Sequence, residues 1–270
     1  MASSDQAPGP AQHTIDPSAA GWALVTGATG GIGAEFARHL ARQGTNLVLT
    51  GRDTVKLGDL AHELGGRVRI ALEPVDLTDR QARVDLHRRL GEEGIHVSTL
   101  VNNAGYAIIE PLVESDPDQV NDLLEVNVVA LTHLTRLFLP AMLEAGQGSI
   151  INVASTASYQ PIPRMAVYAA SKSYVRSFSN AIWHETQGTG VRVVCINPGP
   201  TDTGFFKRAG NENVLRRRRE PRDVVATTFA ALKANRPTVI DGTANKVTAW
   251  ANRLVPERVS TVLARVVTRG

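Results

Sequence analysis

Seven short runs rich in β-branched and other apolar residues alternate along the 270-residue chain with longer segments of helical periodicity. This alternation is typical of βαβ units, in which crossover helices join parallel strands. Strands are predicted at residues 22–26, 47–50, 68–72, 99–102, 149–153, 191–196 and 238–240. Crossover helices are predicted, among others, at residues 33–43, 118–144, 166–186 and 222–234. We therefore predict an α/β protein with a seven-stranded parallel sheet, whose ligands bind beyond the carboxyl ends of the strands.

Composition and charge exclude several other classes of protein. The chain has 29 basic and 26 acidic residues, and this balance is too even to indicate a nucleic-acid partner. No run reaches the roughly 18 uninterrupted apolar residues that a membrane-spanning helix needs. Residues 1–20 lack the basic and apolar regions of a signal peptide and are predicted to be a mobile tail. The single cysteine, Cys195, lies in an apolar run and is predicted to be buried, and we expect a cytoplasmic protein.

A glycine-rich loop follows the first predicted strand and opens the first helix. Its sequence is Thr26-Gly27-Ala28-Thr29-Gly30-Gly31-Ile32-Gly33. Glycines at such a turn let the main chain approach a diphosphate, and the N-terminus of the helix offers unpaired N–H groups and partial positive charge. The loop predicts dinucleotide binding by Gly27, Thr29, Gly31, Ile32 and Gly33, although glycines in this position can also serve only to turn the chain.

The end of the second strand decides which dinucleotide is preferred. An acidic residue there would bind the two adenosine ribose hydroxyls, and a basic residue would pair with a 2′-phosphate. The strand ends Thr50-Gly51-Arg52, which favours NADP(H) over NAD(H), because the guanidinium of Arg52 can bind that phosphate. The alternative is that Asp53 binds the ribose. We prefer Asp53 as the N-cap of the next helix.

Tyr168 and Lys172 are four residues apart on a predicted helix, so their side chains project from the same face. A nearby ammonium group favours the phenolate, and we expect Lys172 to lower the pKa of Tyr168 toward the working range of a general acid and base. Ser155, at the end of the fifth strand, can donate a hydrogen bond to a substrate oxygen on which negative charge develops. Each of these residues alone is an ordinary surface feature, and it is their occurrence together with the glycine loop that indicates catalysis.

From Trp22 onward the chain resembles the short-chain dehydrogenase/reductase family. The resemblance rests on motifs that occur in the family's order: Thr26-Gly27-Ala28-x3-Ile32-Gly33, Asp76-Leu77, Asn102-Asn103-Ala104-Gly105, Asn127, Ser155, Tyr168-x3-Lys172 and Pro198-Gly199-x3-Thr203. It implies a single doubly wound Rossmann domain at residues 21–270, with a substrate lid at 200–220 and a C-terminal helical segment at 244–269.

The resemblance also implies roles for individual residues. Asp76, with Leu77, would contact the adenine. Asn103 would support the cofactor and the central strand, and Thr203 would bind the nicotinamide carboxamide. Lys172 would hold the nicotinamide ribose, and Asn127 would anchor a water molecule in a proton relay. Family members of this length form homodimers or homotetramers through the helices predicted here at 118–144 and 166–186.

Two basic segments have more than one interpretation. The run Arg216 to Arg219 in the lid region would suit an acidic handle on a substrate, but we interpret it as a solvated face. The tail from Asn245 to Arg269 has apolar residues at helical spacing and a basic side. Such helices can lie on a membrane surface, but most pack against their own protein or a second subunit, which is the interpretation we prefer.

The leading hypothesis is an NADPH-dependent carbonyl reductase, and in reverse an alcohol dehydrogenase, for a mostly apolar ketone or secondary alcohol. Two alternatives are weaker. A dinucleotide sensor without turnover would not need the set Asn127, Ser155, Tyr168 and Lys172, and an epimerase or dehydratase of the same fold would need a longer substrate domain. His39, His62, His96, His133 and His184 show no metal-ligand spacing, so no metal is predicted.

Overall fold

The computed structural model describes residues 21–205, 209, 218–254 and 256–264. A parallel sheet of seven strands lies at its centre, in the order β3-β2-β1-β4-β5-β6-β7. The strands are β1 Trp22–Thr26, β2 Asn46–Gly51, β3 Ile70–Pro74, β4 Val97–Asn102, β5 Gly148–Val153, β6 Val191–Asn197 and β7 Thr238–Ile240. The strand order reverses between β1 and β4, which places a crevice at the carboxyl ends of these two strands. The predicted doubly wound α/β fold is confirmed.

Helices cover both faces of this sheet. They are α1 Gly31–Arg42, α2 Thr54–Leu64, α3 Arg80–Glu92, α4 Pro117–Leu124, α5 Leu131–Glu144, α6 Ala166–Glu185, α7 Pro221–Lys233, α8 Thr243–Leu254 and α9 Glu257–Ala264. A π-helical turn, Glu125–Ala130, joins α4 directly to α5. Short 3-10 turns lie at Leu112–Glu114 and Thr156–Tyr159.

The core consists of two layers, one on each face of the sheet. Successive side chains of a strand point to opposite faces. Ala23 and Val25 of β1 therefore pack into the cluster beneath α1, α2 and α7, whereas Leu24 packs into the cluster beneath α3 and α5. This burial on both faces explains why the strands are continuous apolar runs rather than alternating ones.

The predicted strands are all present, but one strand and one helix differ in detail from the prediction. β3 lies two residues later than predicted at both ends, because Ile70–Pro74 pair in register with residues 47–51 of β2. The helix predicted at 118–144 is present but contains the π-helical turn, which inserts an extra residue into the helical repeat at Asn127. The predicted mobile tail at 1–20 and residues 265–270 lie outside the described residues.

Helices α4 and α5, with the turn between them, form one span of 28 residues, Pro117–Glu144, that could cross a membrane by length and composition alone. It is not an uninterrupted apolar run, since it contains Asn127, His133 and Arg136. Its buried side chains Leu134 and Phe138 pack against the sheet with β1 and β4 residues. We therefore interpret it as a helix pair that flanks the sheet.

Buried amides connect the central strands to the helix that carries Tyr168. Asn102 at the end of β4 donates from Nδ2 to Oδ1 of Asn152 on β5, at 2.9 Å. Asn152 in turn donates from Nδ2 to the hydroxyl oxygen of Ser179 on α6, also at 2.9 Å. These bonds are shielded from water, so they fix the position of α6 relative to the strand ends more firmly than exposed bonds would.

Candidate active site

The glycine loop lies between β1 and α1 and admits no side chain at two of its positions. Gly27 has φ +60°, and a Cβ there would lie 2.9 Å from Cα of Ala104. A Cβ at Gly33 would lie 2.3 Å from the carbonyl oxygen of Gly27. These close approaches bring main chain directly to the wall of the crevice, as binding a diphosphate requires.

The N-terminus of α1 faces the same crevice. No side chain caps this end of the helix, and its first turn has no acidic residue. Gly30, Gly31, Ile32 and Gly33 line the cavity, so the uncapped N–H groups and the positive end of the helix dipole are directed to its interior. The cradle fits the diphosphate of a dinucleotide.

Asn103 and Thr26 hold this loop to the end of β4. The Nδ2 of Asn103 donates to the carbonyl oxygens of Thr26, at 2.9 Å, and Gly27, at 3.1 Å. The hydroxyl oxygen of Thr26 accepts from the main-chain N–H groups of Asn103, at 2.9 Å, and Ala104, at 3.0 Å. The cradle is thus fixed to the central strands before any ligand binds.

Basic residues line the end of the cavity next to β2. Gly51 ends the strand and Arg52 follows it, and Lys56, which sequence reasoning missed, lies in the first turn of α2. Asp53 is the N-cap of α2, as predicted: its carboxylate accepts from the main-chain N–H of Lys56, at 3.0 Å, and from Lys56 Nζ, at 2.6 Å. The spacing of three residues between Asp53 and Lys56 is the sequence signal that could have revealed this pair.

Asp76 and Leu77 line the opposite wall of the same end. The main-chain N–H of Thr78 donates to Oδ1 of Asp76 at 3.0 Å, and the Thr78 hydroxyl donates to it at 2.9 Å. These bonds lower the pKa of Asp76, the main-chain bond most of all. The carboxylate is therefore ionised and held in one orientation at neutral pH.

Arg83 is a buried residue behind this wall that sequence analysis did not single out. Its side chain is only 1 % exposed. It donates to the carbonyl oxygen of Leu77, to Oε1 of Glu125 at 2.8 Å and to Nδ1 of His133 at 3.2 Å. One guanidinium therefore connects the wall of the cavity to the π-helical turn and to α5. No periodicity marks this residue, because its partners are distant in sequence.

Tyr168, Lys172 and Ser155 converge on the middle of the cavity. The Ser155 hydroxyl hydrogen-bonds the Tyr168 phenol, and Lys172 donates from Nζ to the carbonyl oxygen of Val153 at 3.0 Å. Tyr168 and Lys172 lie one turn apart on the inner face of α6 and are 6 % and 4 % exposed. The structure thus brings the three candidate catalytic side chains to one cavity.

The electrostatics of this group correct one expectation. Burial raises the pKa of Tyr168 to about 12, although the hydrogen bond with Ser155 opposes the rise. Burial also lowers the pKa of Lys172 to about 8. The expected lowering of the Tyr168 pKa by the ammonium is absent, because desolvation outweighs it and Nζ lies 5.8 Å from the centre of the ring. At neutral pH the phenol is protonated and thus a proton donor.

Asn127 lies in the π-helical turn and is 1 % exposed. Its Oδ1 accepts from the N–H of Tyr106 at 3.1 Å, and its Nδ2 donates to the Tyr106 carbonyl at 3.0 Å and to the Ser171 hydroxyl at 3.1 Å. A Cβ at Gly105 would lie 2.7 Å from this Oδ1 and 3.2 Å from Nζ of Lys172. The amide of Asn127 therefore binds the loop after β4 to α6, and its predicted role with water remains a prediction.

The segment after β6 closes the cavity against the glycine loop. A Cβ at Gly31 would lie 2.7 Å from Cγ2 of Thr203, so Thr203 lies directly against the cradle. The ring of Phe205 packs on that of Tyr168, with centroids 5.7 Å apart. Asn245 of α8 packs so closely on Gly199 that a Cβ there would lie 2.2 Å from its Nδ2.

Two members of the arginine run are described, and both are held in ion pairs, which the expected solvated face did not include. Arg219 pairs with the fully buried carboxylate of Asp241, and its main-chain N–H donates to the carbonyl oxygen of Pro200 at 2.9 Å. Arg218 lies 3.6 Å from Asp202 in a weaker ion pair. The correction is that Arg219 anchors the downstream end of the lid region to β7. Arg216 and Arg217 lie outside the described residues.

The cavity has a volume of about 760 Å³, and its end beyond Tyr168 is mainly apolar. Ala157, Ile162, Met165, Phe205 and Ala249 line this end. Gln160 and Thr248 add uncharged polar groups. Such a surface accommodates a mostly apolar group next to a polar reacting centre.

The family model described as short chain dehydrogenase matches residues 21–213. The chain belongs to the short-chain dehydrogenase family. This short-chain dehydrogenase is 40% identical to sulfoacetaldehyde reductase 2 of Chromohalobacter salexigens over 67% of its own length and 73% of that protein. Among solved structures, it is similar to a short-chain dehydrogenase from Sphingobium yanoikuyae in complex with NADPH, with a TM-score of 0.78, 30% identity and coverage of 87% and 93% of the two chains.

A second similar structure is the bulky-bulky ketone specific alcohol dehydrogenase from Comamonas testosteroni, with a TM-score of 0.74, 27% identity and coverage of 87% and 93%. The described residues of this short-chain dehydrogenase contain no group of three or more His, Cys, Asp or Glu side chains arranged to hold a metal ion. The family and the site together make the protein an NAD(P)-dependent oxidoreductase that acts on alcohol and carbonyl groups.

Proposed function

We propose that this short-chain dehydrogenase reduces the carbonyl group of a mostly apolar ketone with NADPH, and that Tyr168 supplies the proton. The observation that carries the proposal is the position of the protonated Tyr168 phenol, between the glycine cradle and the apolar end of one cavity. The bulky-bulky ketone specificity of the Comamonas relative is consistent with such a substrate.

The residues present fit a dinucleotide along the whole wall from β2 to β6. Those that would hold it are Gly27, Thr29, Gly31, Ile32, Gly33, Arg52, Asp76, Leu77, Asn103, Tyr168, Lys172 and Thr203. When bound, the nicotinamide supplies the hydride, which is the step that protein side chains cannot perform.

The chain itself supplies proton transfer and charge stabilisation. Tyr168 donates its proton to the carbonyl oxygen, and the Ser155 hydroxyl donates a hydrogen bond to the same atom as negative charge develops on it. Lys172, whose pKa of about 8 leaves it mostly protonated at neutral pH, stabilises the phenolate that remains. In the oxidative direction the phenol must first lose its proton, which its pKa of about 12 disfavours at neutral pH.

Catalysis by Tyr168 is tested with Tyr168→Phe and with Tyr174→Phe as the matched control. Both tyrosines lie on α6, but the hydroxyl of Tyr174 contacts that of Thr132, at 2.9 Å, away from the cavity. Reduction of a panel of bulky ketones should fall about 10²–10⁴-fold in Tyr168→Phe and remain unchanged in the control. Full turnover by Tyr168→Phe would overturn the assignment.

The preference for NADPH rests on Arg52 and Lys56. Both line the cavity next to Gly51, while the carboxylate of Asp53 is already bonded within α2. Arg52→Ala and Lys56→Ala should each weaken NADPH binding about tenfold and leave NADH binding unchanged, because each removes a charged partner of the 2′-phosphate. Arg88→Ala, which removes a half-exposed cation on α3, is the control. Equal binding of NADH and NADPH by the unaltered protein would instead support the alternative that Asp53 binds the adenosine ribose.

The family and the catalytic set do not favour the alternative of a dinucleotide sensor without turnover, and activity on ketones tests it directly. It would bind NADPH through the same cradle but would reduce none of the ketones. The ketone panel therefore separates the two functions, since binding without turnover would support the sensor.

We also propose that the protein forms a homodimer or homotetramer through α4, α5 and α6. Apolar or aromatic side chains of these helices and of the π-helical turn between α4 and α5 are exposed in the single chain, namely Leu124, Val129, Leu143 and Tyr174. Analytical ultracentrifugation of Val129→Glu against the unaltered protein tests this contact. Dissociation is expected, because a carboxylate would be buried without a partner. An unchanged assembly would place the contact elsewhere.

A further inference from the structure

Helices α8 and α9 have an inner face that packs on the protein and an outer face that is exposed. On the inner side, Asn245 and Ala249 line the cavity, and Ser260 and Ala264 of α9 are buried. On the outer side, exposed basic and apolar side chains lie one turn apart on each of the two helices. This C-terminal face comprises Lys246, Val247, Trp250, Arg258, Val259 and Val262.

The apolar members of the C-terminal face are unusually accessible. Val247 is 65%, Trp250 64% and Val262 69% exposed, and Val259 is 48% exposed. Single exposed apolar residues are common, but here each of two consecutive helices exposes a pair of them one turn apart, and concentrated apolar exposure marks sites of contact. An exposed tryptophan is typical of surfaces that bind at the boundary between water and lipid.

The charge of this segment is as uneven as its polarity. Residues 243–270 contain five basic residues and one acidic residue, a net charge of +4. The whole chain has a net charge of +3, so the charges of the other residues sum to −1. Positive charge is therefore concentrated in the segment that also exposes apolar side chains.

We propose that the C-terminal face docks on an anionic lipid bilayer. A helix that carries exposed apolar residues flanked by Lys and Arg lies in the plane of such a surface, with its apolar side chains among the lipid headgroups. Each basic residue near the surface adds to the attraction. A second copy of the chain fits less well, because a two-fold contact would bring Lys246 and Arg258 against the same positive face.

Docking in this way has a consequence for the cavity. Thr248 and Ala249 line its apolar end and are the immediate neighbours of Val247 and Trp250 on α8. A bilayer bound to the C-terminal face would lie beside the substrate end of the cavity, on the other side of one helix.

The experiment is co-sedimentation of the full-length protein with vesicles of phosphatidylglycerol and phosphatidylcholine, and with vesicles of phosphatidylcholine alone. Val247→Ser/Trp250→Ser removes apolar contacts, and Lys246→Gln/Arg258→Gln removes charge. Arg88→Gln/Lys233→Gln removes the same charge from α3 and α7 and is the matched control. All measurements are made without cofactor or substrate, so their outcome does not depend on the proposed reduction.

We expect binding to the anionic vesicles that weakens with salt, and little binding to phosphatidylcholine. Lys246→Gln/Arg258→Gln should lower the partition coefficient on the order of tenfold, as should Val247→Ser/Trp250→Ser, while the control is unchanged. Unchanged melting temperatures would show that the variants remain folded. The proposal is overturned if the unaltered protein stays in solution at low salt, or if the control loses as much binding. It is also overturned if Val247→Ser/Trp250→Ser reduces the size of the assembly, which would identify a subunit contact.

Discussion

Arg219 and Asp241 form a bidentate ion pair, with Nε of the guanidinium 2.5 Å from Oδ2 and Nη2 3.1 Å from Oδ1. The carboxylate is completely buried, and the Thr227 hydroxyl also donates to it at 2.8 Å. The main chain of Arg219 pairs with that of Pro200 and Asp202. The pair therefore joins the start and the end of the lid region to β7.

Arg219→Met should destabilise the protein strongly, because it leaves the Asp241 carboxylate buried without its cation. A loss of about 2–3 kcal/mol in the free energy of unfolding is expected, less than for a fully enclosed pair since Arg219 is partly exposed. Arg222→Met is the control, because its exposed pair with Glu220 contributes about 0–1 kcal/mol. Urea unfolding measures both. Equal losses would show that the pair with the buried Asp241 stabilises the protein no more than the exposed pair does.

Lys172→Met should abolish activity and yet raise stability at neutral pH. Burial lowers the Lys172 pKa from 10.5 to about 8, so the folded state binds its proton less well than the unfolded state does. The cost of the buried charge is full below pH 8 and falls as the pH rises from about 8 to 10.5, because the folded lysine is then neutral. At pH 7 a gain on the order of 1–2 kcal/mol is expected in the variant.

The gain from Lys172→Met should shrink toward pH 10, which denaturant unfolding at a series of pH values measures. A difference between the two proteins that does not change with pH would contradict the lowered pKa. Loss of stability at pH 7 would show that the bond from Nζ to Val153 outweighs the cost of burial.

Gly105→Ala should reduce kcat more than it reduces stability. Its Cβ would meet both Oδ1 of Asn127 and Nζ of Lys172, so the methyl group displaces the ammonium from its place behind Tyr168. A misplaced catalytic group commonly costs on the order of 10²-fold in rate. Gly58→Ala is the control: nothing lies within 4 Å of its Cβ, in the middle of α2, and alanine there should stabilise by about 0.5–1 kcal/mol. An unchanged kcat in Gly105→Ala would show that catalysis does not depend on the exact position of the Lys172 ammonium.

Arg83→Met should weaken both folding and cofactor binding. It removes three hydrogen bonds and leaves Glu125 without its buried cation, which is expected to cost about 2–4 kcal/mol. The carbonyl oxygen of Leu77 then loses the bond that holds this part of the cavity wall in place, so the Kd for NADPH should rise. Arg80→Met, at the exposed start of α3, should change neither quantity. An unaltered Kd for NADPH in folded Arg83→Met would show that the bond from Arg83 to Leu77 does not contribute to cofactor binding.

The features that local sequence could reveal are those that depend on neighbouring residues. The seven apolar runs specify seven strands, since a strand buried on both faces needs no distant information to be recognised. The glycine loop has the same property, because the absence of a side chain at Gly27 and Gly33 is itself the requirement for close approach. Asp53 caps α2 by accepting the main-chain N–H of Lys56, only three residues away. The meeting of Ser155, Tyr168 and Lys172 could be inferred because parallel strands end at one edge of the sheet.

Burial and long-range contacts decided the rest. The pKa of Tyr168 rises rather than falls because desolvation depends on everything packed around the phenol, and no spacing in the sequence expresses that. Arg219 stabilises the lid region because Asp241, 22 residues later, is buried beside it. Arg83 finds partners up to 50 residues away. Periodicity reports which face of an element is apolar, whereas the partner of a buried charge is determined only when the elements have packed.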